Sequence, residues 1–106
     1  MLKTKVNVRS GGKIHLIDKN QIIMVESKQY KLIIILENGN SYVIPGSLKN
    51  FSEKLGKFFF RCHRSYLINL NKIKTFDIRN NTIKLKCEKK APLSRRNKKK
   101  FLNIIE

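Results

Sequence analysis

The stretch Phe58-Phe59-Phe60-Arg61-Cys62-His63-Arg64-Ser65-Tyr66-Leu67-Ile68-Asn69-Leu70-Asn71-Lys72-Ile73 runs from a block of aromatics, through a cluster of hydrogen-bond donors, into apolar residues again. Phe58 to Phe60 and Tyr66 to Leu70 have the aromatic and aliphatic content that fills strands, and Phe58 to Phe60, Leu67 and Ile68 are assigned to the core. Arg61, His63, Arg64 and Ser65 carry donors that are costly to bury without partners. Two ends that want a core and a middle that wants a polar partner predict a rigid β scaffold presenting a short donor-rich segment.

The charge balance says what such a segment would meet. There are 24 Lys and Arg against 7 Asp and Glu, a formal net charge of +17, and the pI is near 10.3. Such a field favours polyanions, above all nucleic acid, with an anionic membrane as the second candidate. A surface that is merely solubilising mixes both signs. A chain of 106 residues is expected to be one domain (1–106) with a single modest core, and 41% hydrophobic content is too high for a disordered chain. No apolar run approaches the length of a bilayer span, and Met1-Leu2-Lys3-Thr4-Lys5 lacks the apolar stretch of a signal peptide, so a cytoplasmic location is expected. Cys62 and Cys87 have neither metal-ligand spacing nor the density of a secreted disulfide scaffold, and both are expected to be reduced.

Outward from the central stretch the pattern stays β-rich. Residues 3–8 alternate polar and apolar, Ser10-Gly11-Gly12-Lys13 suits a tight turn, and Ile14 to Ile17 can pair back. Asp18-Lys19-Asn20 suits a short helical turn before the apolar run Ile22 to Val25, which is too short to classify by periodicity. Glu26-Ser27-Lys28-Gln29 is read as a break before a strand from Tyr30 to Leu36, covered on both faces. Asn38-Gly39 marks a hairpin to Ser41–Ile44, which Pro45 ends. Ser47 can cap a helix with Leu48, Phe51 and Leu55 on one stripe and Gly56 closing it in the left-handed conformation. Residues 74–78 and 82–87 alternate across an Asn80-Asn81 turn, with lysines on the wet face. Ser94 reads as the N-cap of a terminal helix docked through Phe101, Leu102, Ile104 and Ile105. Lys98 to Lys100 divide evenly between a solvated helix face and a contact surface, whereas Arg95 and Arg96 precede the helix in an exposed loop.

Enzymatic readings find little footing. Cys62 and His63 are neighbours on an extended strand, so their side chains diverge and cannot form a thiol–imidazole pair. His15 lies in another hairpin without spaced carboxylates or cysteines, so no metal site and no cofactor are expected. There is no Gly-rich phosphate loop and no carboxylate pair for acid–base work. His63 by itself is as much a structural histidine as a contact; with Arg61, Arg64 and Ser65 beside it, it joins the donor set that phosphates attract.

The segment from Phe59 to Ile73 resembles the signature of the LytTR DNA-binding domain, an Arg-x-His-Arg-Ser core followed by an apolar pair, an Asn and then an Ile. Glu26-Ser27, Gly46-Ser47-Leu48 and Ser94-Arg95-Arg96-Asn97 fall in the order of that family, so the resemblance covers nearly the whole chain. It implies a mainly β fold, an elongated antiparallel β-β-β sandwich with one or two short helices, that binds double-stranded DNA through loops. In the family this domain is usually the C-terminal effector of a bacterial response regulator, acting at imperfect direct repeats near promoters, where a second copy can bind. Here Met1 stands almost directly before the domain with no receiver domain upstream, as in an excised effector or a stand-alone regulator. By position, the resemblance implies three DNA-contacting loops: Lys28, Gln29, Tyr30 and Lys31; His63, Arg64 and Ser65, with Arg61 beside them; and Ser94, Arg95, Arg96 and Asn97.

Chemistry divides that set. Arg96 is the first choice for reading a guanine edge, with Tyr30 or Lys31 reading a second groove and Arg64 open between base and phosphate. Lys28, His63, Ser65, Ser94 and Asn97 suit the phosphate backbone. Asn69 reads as an amide joining two strands of the scaffold. Cys62 is open between a thiol switch and a small strand residue. An RNA-binding β module is the alternative, using Tyr30, Tyr42 and Tyr66 as stacking platforms; a membrane-surface or partner-binding domain is the third class.

Overall fold

The structure, a computed structural model, describes residues 4–106; Lys3 of the first alternating stretch lies outside them. Ten strands and two short helices follow in order: β1 (Lys5–Ser10), β2 (Lys13–Asp18), β3 (Ile22–Lys28), β4 (Lys31–Leu36), β5 (Ser41–Pro45), α1 (Leu48–Leu55), β6 (Phe59–His63), β7 (Tyr66–Asn69), β8 (Ile73–Asp77), β9 (Thr82–Leu85), β10 (Lys90–Pro92) and α2 (Lys98–Ile105). The strands form three antiparallel sheets: β1-β2, a central sheet ordered β5-β4-β3-β7-β6, and β10-β9-β8. The molecule is elongated, 43 × 27 × 24 Å. Among the described residues no helix is long and apolar enough to cross a membrane.

The single core expected from length is two apolar layers, one on each face of the central sheet. On one face Val6, Val8 and Ile17 of the first hairpin and Leu48, Phe51 and Leu55 of α1 meet Ile22, Val25, Leu32, Ile34, Leu36 and Leu67. On the other, Ile83, Leu85, Ala91, Leu93 and Phe101 meet Ile23, Met24, Phe60, Cys62 and Ile68. The run Ile22 to Val25 is therefore the inner strand β3, fully buried because both faces are covered. A β-bulge between Ile22 and Met24 lets Ile23 and Met24 serve the same layer before Val25 returns to the first.

Asn69 is the only buried polar side chain among the described residues. Its amide donates to the Ile22 carbonyl across the sheet at 2.9 Å, and its Oδ1 accepts from the Asn71 amide at 2.9 Å. This is the strand-joining role its position suggested.

Local structure departs from expectation where turn chemistry was misread. β3 continues through Glu26 to Lys28, and Tyr30 lies in the turn, not in a strand. The Asn38-Gly39 hairpin forms as expected, Gly39 donating to Leu36 and adopting φ +90° in the 37–40 connection. Ser47 caps α1 through Asn50 as expected, but Gly56 combines φ 92° with ψ −168°, an extended mirror region and not the left-handed helical one. The Asn80-Asn81 turn spans four residues because Asp77 accepts from the Arg79 and Asn80 amides, which leaves Ile78 exposed. Phe58, assigned to the core, is 55% exposed, and Ile104 and Ile105 are also largely exposed, so Phe101 is the buried anchor of α2.

Replacing Asn69 by Ala is expected to lower the unfolding free energy by about 2–4 kcal/mol, because the Ile22 carbonyl and Asn71 amide lose their partner in a dry site. Urea unfolding measures it. A loss below about 0.5 kcal/mol would show that the amide is not a structural pin.

Candidate nucleic-acid interface

The three loops are built in three different ways. In the first, β3 and β4 pair up to Lys28 and Lys31, leaving Gln29 (φ 52°) and Tyr30 (φ 65°) as a two-residue turn. Positive φ at both positions matches the strand twist, yet the usual occupants are Asn and Gly. Side chains there cost on the order of 1 kcal/mol each. Tyr30 is 94% exposed on this strained tip.

The second loop is the turn Arg64-Ser65 between β6 and β7, closed by the His63–Tyr66 pair. A bulge in β6 between Phe60 and His63 adds one residue just before it. The Arg61 guanidinium donates to the Arg64 carbonyl at 2.7 Å, so this arginine braces the turn. The Ser65 amide donates to His63 Nδ1 at 3.1 Å, which leaves the neutral ring's proton on Nε2 as a donor. Tyr66 packs edge-on against the His63 ring at 5.7 Å and donates its hydroxyl to Glu26 at 3.2 Å. Partial burial and the Glu26 charge raise the Tyr66 pKa, keeping the phenol a donor.

The third loop, a 3-10 turn at Arg95–Asn97, is fastened to the outer edge of β6. The Ser94 amide donates to the Cys62 carbonyl at 2.9 Å, and the Asn97 amide group donates to the Arg61 carbonyl at 3.2 Å and to Ser94 Oγ at 2.9 Å. Both donors of Asn97 are thus engaged within the protein, a positioning role where a phosphate contact was expected. Ser94 makes no side-chain cap bond. Arg95 and Arg96 are exposed.

Hydrogen bonds also join the loops. The Ser27 amide at the base of the first donates to the Ser65 carbonyl of the second at 2.8 Å. The second and third border one cleft of about 880 Å³ lined by Arg61, His63, Arg64, Ser94, Arg96 and Asn97, with Lys100 of α2 beside them. Lys28, Gln29, Tyr30 and Lys31 do not line it. The sequence alone does not decide Lys100; its spacing of four residues from Arg96 is the available signal. The link from Glu26 through Tyr66 to His63 joins positions 40 residues apart and had no local signal.

The ion-paired carboxylates lie away from the cleft, whereas the exposed Glu53 of α1 lines it and Glu26 holds Tyr66. Glu37 is held below its usual pKa by its bond from Lys72, with Lys86 also paired, and Glu88 likewise by Lys84. The Asp77 pKa is lowered by the Asn80 amide in its own turn. None of Lys28, Lys31, Arg61, Arg64, Arg95 and Arg96 has an ion-pair partner among the described residues. Cys62 is wholly buried and its thiol is pushed up to about 12 by burial, which favours the small strand residue over a thiol switch. Cys87 is exposed.

The family model of the LytTr DNA-binding domain matches residues 12–106. Over 105 residues the chain is 32% identical to the transcriptional regulatory protein YpdB of Escherichia coli K12, covering 94% of this chain and 43% of YpdB. The same values hold for YpdB of Shigella flexneri. The chain therefore spans less than half the length of these curated relatives. In three dimensions it is similar to a solved LytTr DNA-binding domain from Bacillus cereus, with a TM-score of 0.81 over 96% of both chains at 23% identity, a likeness of fold.

Two outcomes follow from the loop geometry. Tyr30→Gly is expected to raise stability by about 1 kcal/mol by relieving the left-handed residue, while weakening duplex binding; a melt and a titration on the same sample separate the effects, and unchanged binding would remove Tyr30 from the interface. With a maleimide on the native fold, Cys87 is expected to react and Cys62 only after denaturant is added, read by mass spectrometry; rapid double labelling would contradict the burial of Cys62.

Proposed function

The chain belongs to the LytTr DNA-binding domain family, and from that premise we propose that it is a sequence-specific duplex DNA-binding transcription regulator whose three loops enter the major groove of promoter-proximal direct repeats. The observation that carries this reading is the hydrogen-bonded row of loops at one end of the sheet: Ser27 to Ser65, Ser94 to Cys62 and Asn97 to Arg61. A row tied in this way presents its side chains at fixed spacing, which base reading requires and a diffuse basic surface does not provide.

Within the row, Arg96 reads a guanine edge through its guanidinium, and Tyr30 with Lys31 reads an adjacent groove. Arg64 stands between them. Lys28, His63 through Nε2, Ser65, Ser94 and Arg95 hold phosphates, while Arg61 and Asn97 position their neighbours. The 106 residues act as one DNA-binding unit. Tyr42 is half-buried against His15, with ring centroids 4.8 Å apart, and Tyr66 is bonded to Glu26, so of the three tyrosines only Tyr30 is free to stack a base. That arrangement disfavours the single-stranded RNA reading, which calls for several exposed platforms.

Selection from a randomised duplex library at near-physiological salt tests the proposal with the native chain and with Arg96→Ala. The native chain is expected to enrich a motif, and the variant to lose about 1–3 kcal/mol of discrimination at one position of it. No enrichment, with affinity that only collapses as salt rises, would reduce the surface to a nonspecific grip.

A further inference from the structure

We propose that the tip of the β1–β2 hairpin, with the start of α1, is a fourth DNA contact that holds the phosphate backbone flanking the site on the first loop's side; this rests on the duplex-DNA reading above. Lateral order in the central sheet supplies the placement. The third loop is fastened beyond β6 at one edge, and β5 forms the other. Lys31 pairs with Pro45, so the end of β5 lies one strand, about 5 Å, outward from the first loop. The chain then passes through Gly46 to Ser47 and α1.

A cleft of about 460 Å³ opens there, lined by Arg9 of β1 together with Pro45, Gly46, Ser47, Asn50 and Lys54. The hairpin turn therefore lies beside the loop row. Ser10 pairs with Lys13 across Gly11 and Gly12, whose φ values are +61° and +72° and whose Cα positions face open space. Arg9 and Lys13 border this open tip and are exposed. Arg9, Lys13 and Lys54 have no ion-pair partner among the described residues. The Ser47 hydroxyl accepts from the Asn50 amide at 3.2 Å and keeps its own proton, so the donors on offer are one guanidinium, two ammonium groups, the Ser47 hydroxyl and the Asn50 side chain. Three exposed cations without a fixed hydrogen-bonding frame suit phosphodiester oxygens, which need charge, and not base edges, which need register.

The experiment uses the motif selected by the native chain, in duplexes trimmed from either side, with Arg9→Gln/Lys13→Gln as the variant. Lys89→Gln, in the β9–β10 connection, is the charge control. Trimming the first-loop flank is expected to weaken the native chain several-fold, while the double variant is weaker on long duplexes and indifferent to that trimming. Its log–log salt slope should fall by about 2, near 0.9 per phosphate released, with base preference unchanged. A double variant with the native slope and native response to trimming, while both proteins still select the motif, overturns the fourth contact alone. A native chain that selects no motif overturns the three-loop reading and the flank contact with it.

Discussion

The buried amide of Asn69 sets the register on which the rest of the molecule depends. It holds the end of β7 to the start of β3, where the bulge at Ile23 begins. A slip of one residue there would exchange the two faces of β3 and leave the amide without its carbonyl. With the register held, Met24 faces Ile68, Val25 faces Leu67 and Glu26 faces Tyr66. At the far end of the same pair of strands, the Ser27 amide then meets the Ser65 carbonyl. The approach of the first two loops is thus a consequence of packing at the opposite end of the sheet.

A second constraint separates stability from presentation. Two apolar layers and the ion pairs serve the body of the molecule: Glu37 joins Lys72 and Lys86 beyond β4, and Glu88 joins Lys84. The loop end carries unpaired cations with Glu53 alone beside the cleft, a bulge in β6 and two of the five non-glycine residues at positive φ among the described residues. Each of these is locally unfavourable, by self-repulsion or by backbone strain. They persist because the strands behind them are buried on both faces, and a polyanion would relieve the repulsion.

Much of this was legible in the sequence. Alternation around Gly11-Gly12, the Ser47 cap with its Leu48, Phe51 and Leu55 stripe, and the donor cluster between aromatic and aliphatic runs all led to the right elements. The strand boundaries around the first loop differ from expectation because Gln29 and Tyr30 are poor turn residues by composition, and only the pairing of Lys28 with Lys31 forces them into one. Phe58 was read as core from its type, whereas its strand begins one residue later and leaves it beside Lys57, 5.6 Å from the ring centroid. The engagement of Asn97 by Arg61 and Ser94 is a tertiary fact, and no local pattern distinguishes that amide from one free to bond a phosphate.

The same hydrogen bonds bear on how a surface of net charge +17 could discriminate between sequences. Cations on free tethers add affinity for any duplex and nothing to choice. Asn97 has both amide donors turned inward on the Arg61 carbonyl and Ser94, and Arg61 donates one guanidinium N–H to the Arg64 carbonyl while the rest of its fork stays exposed. What they support, Arg64 and Arg96, borders the shared cleft. Under the proposed duplex reading, supports of this kind supply register, and register is the quantity that distinguishes one base pair from another.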